Sequence, residues 1–153
     1  MRKKFLAFSG LVLGLATLAG CDGKVENPNI THYSTDLCSL DAVGGKPDTS
    51  IYVKREQVAF VGWAIDASTK TAPKAIRLRL TGASGIPHTF ENSAVIDRPD
   101  LVKAYNNQDI LKSGFYIQAD LSTLEPGGYG IIVEIPNGKT LLVCQPKKFL
   151  VVQ

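Results

Sequence analysis

The residues that could perform catalysis are few, and they lack the spacing that catalysis requires. A serine hydrolase needs a nucleophile beside a base, but His88 is the only histidine in the region predicted to fold. Ser84-Gly85 and Ser113-Gly114 do not belong to a GxSxG sequence, which forms the exposed nucleophile turn of many hydrolases. Asp97 and Asp100 could form an acid–base pair, but a turn and a helix start explain their positions better. The sequence therefore predicts a protein that is not an enzyme.

Ligands for a metal ion or cofactor are equally scarce. Asp97, Asp100 and Asp120 could hold calcium, but they lack the DxDxDG spacing of calcium-binding loops. Cys38 and Cys144 lie far apart, and neither a CxxC pair nor a histidine cluster accompanies them, so a zinc site is not expected. We predict no metal site and no cofactor.

The N-terminus has the pattern of a secretory signal that ends at a cysteine. Three basic residues at 2–4 precede an apolar stretch at 5–18 that is too short to cross a bilayer, and Cys21 follows the tripeptide Leu-Ala-Gly. This pattern resembles the lipobox of bacterial lipoproteins. The resemblance implies that Cys21 receives a diacylglyceryl group on its sulfur, that residues 1–20 are removed, and that the new N-terminus is acylated. A plain cleaved signal peptide and a transmembrane anchor are the alternatives.

Lipidation would attach the protein to membrane lipid on the periplasmic or extracellular face of the cell envelope. Each buried methylene of an acyl chain contributes about 0.8 kcal/mol, and two or three chains make the attachment durable. Asp22 follows the cysteine, and an aspartate there resembles the inner-membrane retention signal of enterobacterial lipoproteins. This slightly favours the inner membrane if the cell is Gram-negative.

Removal of the signal peptide makes the chain electrically neutral. The signal contains three of the 17 basic residues and no acidic ones, so 14 basic side chains remain against 14 acidic ones. No run of lysine and arginine survives to follow a phosphate backbone. Nucleic acid is therefore not a predicted partner.

With Cys21 carrying lipid, Cys38 and Cys144 remain as a pair in a compartment that is oxidising in a Gram-negative cell. We predict a disulfide between them, with two buried free thiols as the alternative. The bond would close a loop of about a hundred residues and stabilise the fold by about 4–5 kcal/mol.

Residues 21–36 are predicted to form the lipidated N-terminus and a flexible tether, because they are polar and show no helix or strand periodicity. Residues 37–153 are predicted to form one domain of short strands. The segment 74–81 is the clearest strand, since apolar and polar residues alternate along it. The predicted strands span 50–55, 57–66, 74–81, 88–95, 115–120, 129–135, 140–144 and 148–152.

A helix is predicted only at 98–105, where Pro99 and Asp100 suit a first turn. Asn137-Gly138 between two apolar segments is the strongest hairpin signal in the chain. Strands at intervals of roughly ten residues favour an all-β sandwich, with a closed barrel as the alternative architecture.

Four short motifs also occur in order along residues 50–135: GWAxD at 62–66, RPDL at 98–101, GF at 114–115 and LxxGxY at 124–129. Together they resemble a β-sandwich accessory module that recurs in bacterial cell-surface and polysaccharide-related proteins, often beside glycosyltransferases. The resemblance implies an immunoglobulin-like antiparallel sandwich and brings no catalytic residues. The motif residues expected to be structural are Trp63, Asp66, Arg98, Asp100, Phe115 and Tyr129.

Ordinary packing explains most of these residues. An aromatic residue in an apolar strand is typical of a core, so Trp63 is predicted to be a core anchor and not a platform for a sugar. Gly62 beside it indicates a bulge or a close approach. Arg98 and Asp100 are predicted to attach the helix to a strand end through a salt bridge or backbone hydrogen bonds.

These observations favour a membrane-anchored envelope lipoprotein that acts as a non-catalytic interaction or structural module, with another envelope protein or a glycan as its partner. One alternative is a carbohydrate-binding accessory protein in which Tyr105 and Tyr116 stack on sugar rings. A second is a phage- or plasmid-encoded surface lipoprotein that blocks a receptor or a secretion partner.

The lipobox makes a direct prediction about the mature protein. Cells fed a palmitate analogue should label the wild-type protein and not Cys21→Ala, because the substitution removes the acceptor sulfur. A mature protein with the mass of unmodified residues 21–153 would show that the resemblance is misleading.

Overall fold

The computed structural model describes residues 29–91 and 93–153, which form two β-sheets packed face to face. Residues 1–28, which include the predicted signal peptide, Cys21 and most of the predicted tether, lie outside the described residues. The strands are β1 (Thr31–Thr35), β2 (Cys38–Val43), β3 (Ser50–Val53), β4 (Gln57–Ala64), β5 (Arg77–Thr81), β6 (Pro87–Phe90), β7 (Ser93–Ile96), β8 (Gly114–Asp120), β9 (Gly127–Asn137), β10 (Thr140–Cys144) and β11 (Phe149–Val152). One α-helix, α1 (Pro99–Tyr105), and a 3-10 turn at Gln108–Ile110 connect β7 to β8.

The two sheets have the strand order of an immunoglobulin-like sandwich. The smaller sheet is antiparallel, with the order β2-β4-β8-β7. In the larger sheet β9 lies at the centre, with β5 and β6 on one side and β10 and β11 on the other. Strands β1 and β3 add to β10 and β11 in parallel. The order β2-β4-β8-β7 corresponds to the ABED sheet of the immunoglobulin fold. In the larger sheet, β5, β9 and the pair β10 and β11 correspond to strands C, F and G. The all-β sandwich predicted from the sequence is confirmed.

The core lies between the sheets and follows the period-two alternation of the strands. Leu78 and Leu80 of β5 are fully buried, and the arginine between them is only partly so. Phe60 of β4 and Phe115 of β8 face the same interior and are the largest fully buried side chains. Alternate residues of a strand point to opposite faces, so this pattern places one face of each sheet in the core.

The predicted tether is too long, and this is a correction. Thr31–Thr35, assigned to the tether, forms β1 and pairs in parallel register with β10, with Thr31 opposite Thr140. The first four residues of β1 are exposed. β1 is held by backbone pairing with β10 and buries few side chains, so its sequence does not need alternating apolar residues.

A second correction concerns the predicted strand 88–95, which is two strands in different sheets. β6 (Pro87–Phe90) pairs with β5, and β7 (Ser93–Ile96) pairs with β8. The chain crosses from one sheet to the other between them. Apolar residues occur on both sides of this crossing, so the sequence pattern indicates one continuous strand.

Trp63 is also placed differently from the prediction of a core anchor. In β4 the residues Val58, Phe60 and Gly62 point inward, and Trp63 points to the outer face of the smaller sheet. There the indole is half-buried and packs against a small cluster made by Ile65, Leu101 and Ile110. Trp63 therefore belongs to the contact between the sheet and α1, and not to the core between the sheets.

The predicted disulfide is confirmed. Cys38 and Cys144 are bonded, with their Cα atoms 6.2 Å apart. The bond joins β2 of the smaller sheet to β10 of the larger sheet. It therefore crosslinks the two layers directly.

Removing this crosslink should lower the stability of the fold substantially. We expect Cys38→Ala/Cys144→Ala to lose about 4–5 kcal/mol in unfolding free energy, because a loop of about a hundred residues is no longer closed in the unfolded chain. Urea unfolding of the mature protein measures this loss, and reduced wild type should resemble the double variant. Equal stability of oxidised wild type and double variant would contradict the prediction.

The outward position of Trp63 predicts a smaller stability loss than a core aromatic would give. Phe60→Ala, on the same strand but fully buried, should cost about 3–5 kcal/mol, and Trp63→Ala about 1.5–3 kcal/mol. Circular dichroism during urea unfolding follows both variants without depending on tryptophan fluorescence. A Trp63→Ala loss as large as that of Phe60→Ala would contradict the outer position.

Candidate functional site

Arg98, which lies between β7 and α1, forms hydrogen bonds with two carboxylates beside the smaller sheet. Its Nε and Nη2 donate to the two carboxylate oxygens of Asp100, at 2.9 and 2.7 Å, and its Nη1 donates to Asp41 at 2.8 Å. Asp41 lies at an irregularity in the pairing of β2 with β4. A bulge changes the direction in which a side chain points. Here the Asp41 carboxylate of edge strand β2 contacts Arg98, which follows β7 at the opposite edge of the sheet. The sequence predicts that Arg98 and Asp100 attach the helix to a strand end, and Arg98 forms salt bridges with Asp100 of α1 and with Asp41 of β2.

The salt bridge shifts the pKa values of Arg98 and Asp100. The hydrogen bonds from Arg98, opposed by slight desolvation and reinforced by the positive charge, lower the pKa of Asp100 to about 2. The hydrogen bond with Asp100 raises the pKa of Arg98, against the effect of burial. Both groups are therefore charged near neutral pH, which suits an ion pair better than a general acid or base.

Gly114 explains why the GF motif accompanies the arginine. A Cβ on Gly114 would lie 2.9 Å from Cγ of Arg98 and 2.6 Å from the carbonyl oxygen of Ile96. Only glycine leaves room for the arginine side chain to cross the outer face of β8. The next residue, Phe115, points the other way into the core. The GF motif thus serves both faces of the sheet.

Asp66, the last residue of GWAxD, connects the two sheets at one end of the sandwich. Its side chain accepts hydrogen bonds from Ser68 N at 2.9 Å, from Ser68 Oγ at 2.5 Å and from Asn137 Nδ2 at 2.8 Å. Burial raises the pKa of the Asp66 carboxyl, but these hydrogen bonds and one from the Thr69 backbone outweigh it and lower the pKa. Asp66 therefore stabilises the fold as a carboxylate and attaches the turn after β4 to the β9–β10 hairpin.

Tyr129 fixes the opposite end of the sandwich. Its hydroxyl donates to the carbonyl oxygen of Glu125 at 2.7 Å, while its ring is buried. Immunoglobulin-like domains have a tyrosine corner, in which a tyrosine near the start of strand F bonds back to the preceding turn. Tyr129 occupies this position in β9, which corresponds to strand F. A Cβ on Gly82 would lie 2.8 Å from this ring, so Gly82 is needed for the ring to fit.

Arg77 and Arg79, two polar residues of the alternating strand β5, belong to an ion-pair network. Arg79 Nε lies 2.6 Å from the buried carboxylate of Glu134, and Arg77 Nε lies 2.8 Å from Glu91. A buried carboxylate requires such partners. The sequence pattern predicts that the two arginines lie on one face of β5, but it does not identify Glu134 on the neighbouring strand β9 as their partner.

The weaker sequence candidates are not brought together. Asp97 pairs with Lys112 at 3.2 Å, and Asp120 accepts from Ser122 N, so neither joins Asp100 in a calcium site. Across residues 29–91 and 93–153, no cluster of three metal-ligating side chains occurs. Ser113 is fully buried.

His88 lies in a different place from these carboxylates. It borders a hollow of about 330 Å³ together with Ser84 and Glu125, and its ring packs edge-on against Tyr129. Within the part of the chain that the structure describes, no hydrogen bond joins His88 to Ser84 or Glu125. The arrangement of a base that activates a nucleophile is therefore not formed here.

An open cleft lies at the same end of the sandwich as Tyr129, where β4 begins. It has a volume of about 550 Å³ and lies between Tyr52 of β3 and Tyr116 of β8. Both rings are exposed, Tyr52 at 54% and Tyr116 at 39%. The hydroxyl of Tyr116 donates to Oε1 of Gln118 at 2.5 Å, which orients the ring before any ligand arrives. The lining includes six other polar or charged residues, alongside small and apolar ones: Lys46, Lys54, Glu56, Gln57, Gln118 and Gln153.

The two aromatic residues singled out in the sequence therefore have different surroundings. Tyr116 borders the cleft, whereas Tyr105 lies on α1 with its ring edge-on to Trp63, at a centroid distance of 6.4 Å. Sequence reasoning missed Tyr52. Its signal was present, since Tyr52 alternates with buried Ile51 and Val53 in β3 and so must point outward.

In the described parts of the chain, no helix is long and apolar enough to span a membrane.

Comparison with protein-family models, curated proteins and solved structures found no match to this chain.

Proposed function

We propose that this protein is a lipid-anchored lipoprotein of the bacterial cell envelope that binds a partner without catalysing a reaction. The lipobox at Cys21 supports the anchor. The observation that carries the binding role is the cleft between Tyr52 and Tyr116. It is the place where exposed aromatic rings and polar side chains meet around an opening of ligand size.

The motif residues support this division between scaffold and binding surface. Arg98, Asp66 and Tyr129 are each committed to a contact that holds one structural element to another. None of the three is left to orient a substrate. Binding therefore belongs to residues outside the four motifs.

The chemistry of the cleft favours a glycan as the partner. Sugar rings present C–H faces that pack on aromatic rings, and hydroxyl groups that need both donors and acceptors. Tyr52 and Tyr116 supply the rings, and the amides of Gln57 and Gln118 can both donate and accept. A flat protein partner has less need of a recess between two rings.

Non-catalytic binding is part of this proposal and is open to a direct assay. Turnover of peptidoglycan, ester or glycoside substrates by the purified protein, lost in a folded His88→Ala variant, would make the protein an enzyme. The phage- or plasmid-encoded blocking protein has no observation among the described residues that favours it.

The glycan proposal predicts unequal effects of three exposed tyrosines. Tyr52→Ala and Tyr116→Ala should each weaken binding to envelope oligosaccharides by about 2- to 12-fold, the equivalent of about 0.5–1.5 kcal/mol for an aromatic contact. Tyr33→Ala is the matched control, because Tyr33 is as exposed as Tyr52, at 54%, but lies on β1 outside the cleft.

Calorimetric titration with peptidoglycan fragments and capsular or lipopolysaccharide-derived oligosaccharides measures these affinities. Full binding by Tyr52→Ala/Tyr116→Ala, or an equal loss in Tyr33→Ala, would overturn the cleft as the glycan site. Binding of an envelope protein that both cleft substitutions abolish would instead favour a protein partner for the same surface.

A further inference from the structure

The described chain enters the sandwich at one end, and this end is the nearest in sequence to the proposed anchor at Cys21. β1 begins at Thr31, whose N–H donates to the carbonyl of Lys139 at 2.9 Å in the turn between β9 and β10. That turn contacts Asp66 through Asn137, and Asn107 bonds to the carbonyl of Lys70 at 2.7 Å. We call the end formed by residues 66–76 and the β9–β10 turn the anchor-side end.

Three exposed lysines occupy this end, namely Lys70, Lys74 and Lys139. Among the residues that the structure describes, none of the three forms a salt bridge, and their ammonium groups make no side-chain hydrogen bond. Other exposed lysines among the described residues, such as Lys54 and Lys147, are also unpaired, so position distinguishes the three and not the lack of a partner.

The acidic residues nearby do not neutralise the three lysines. Asp66 is buried and satisfied by Ser68 and Asn137, and Asp97 and Asp100 are paired with Lys112 and Arg98. Asp109 is exposed at this end and offsets one charge. A net positive surface therefore surrounds the point where the anchor enters a mature chain of zero formal charge.

We infer that the anchor-side end docks on anionic lipid headgroups through Lys70, Lys74 and Lys139. The inference rests on the proposed lipidation of Cys21. Nine residues, 22–30, separate Cys21 from β1, and a chain of that length cannot extend beyond about 30 Å. The lysines thus lie within reach of the headgroups whenever the lipid is inserted, and each basic residue near an anionic surface adds to the attraction.

Docking has a consequence for the cleft. Strand β4 runs from Gln57, which lines the cleft, to Ala64, which leads into Asp66 at the anchor-side end. The cleft and the lysines are therefore at opposite ends of the strands. A domain docked by its lysines presents the Tyr52–Tyr116 cleft away from the membrane.

The chain carries its own probe for this orientation, because Trp63 is its single tryptophan and lies near the anchor-side end of β4. Mature protein purified from membranes is incorporated into vesicles that contain a dansyl-labelled phospholipid. Energy transfer from Trp63 to the label is measured on phosphatidylcholine alone and on phosphatidylcholine mixed with phosphatidylglycerol. We expect greater transfer on the anionic vesicles at low salt, and loss of this excess in about 1 M salt, where the Debye length is about 3 Å.

Lys74→Gln/Lys139→Gln should lower the docked-to-undocked ratio about tenfold or more, and so bring the anionic signal close to the neutral one. Lys54→Gln/Lys147→Gln is the control, because it removes the same charge from exposed lysines outside the anchor-side end. Melting temperatures of both double variants show whether each remains folded.

Equal transfer on both vesicle types for wild type would overturn docking, as would an equal loss of signal in the control variant. A protein that fails to float with phosphatidylcholine vesicles at all would instead overturn the lipid anchor and the docking with it. Flotation thus separates the failure of the proposed anchor from the failure of the docking surface.

Discussion

The arrangement of the sandwich depends on one long strand, β9, which pairs with three others. Residues 130–134 pair with β5 on one side, while 133–137 and 127–130 pair with β10 and β11 on the other. Polar contacts hold both ends of β9. Near the start, Tyr129 bonds back to Glu125. At the end, Asn137 bonds to Asp66 in the turn that follows β4 of the other sheet. Because three strands take their register from β9, these two contacts position most of the larger sheet.

The sequence predicts the parts of this arrangement in which burial alternates with exposure. The segment 74–81 and the β9–β10 hairpin were recognisable, because one face of each strand must be apolar and Asn137-Gly138 suits a tight turn. β1 was not recognisable, since pairing with a sheet edge forms it without burying its side chains. The crossing between β6 and β7 was hidden for a different reason, because a change of sheet leaves the local apolar pattern unbroken.

The same reasoning applies to the sites. The sequence motifs identified Arg98, Asp100 and Tyr129 because each works within a few residues of its neighbours along the chain. Their distant partners could not be identified: Asp41 lies 57 residues from Arg98 and Asn137 lies 71 residues from Asp66. The Tyr52–Tyr116 cleft is harder still, because the two tyrosines lie on strands of different sheets and neither tyrosine belongs to a motif. Local signals therefore indicate the scaffold more readily than the proposed binding surface.

The position of the disulfide suits the lipid anchor that we propose. A pull on the N-terminal side of Thr31 would act first on β1, a short strand of largely exposed side chains at the edge of the larger sheet. Peeling β1 away would break its backbone hydrogen bonds one after another. Thr35, the last residue of β1, lies opposite Cys144, and Cys38 follows three residues later. Unzipping that passes Thr35 therefore meets a covalent bond between the sheets before it reaches the core. The fold confines the weak step to a strand whose loss uncovers little apolar surface, and it protects the layers that carry the cleft.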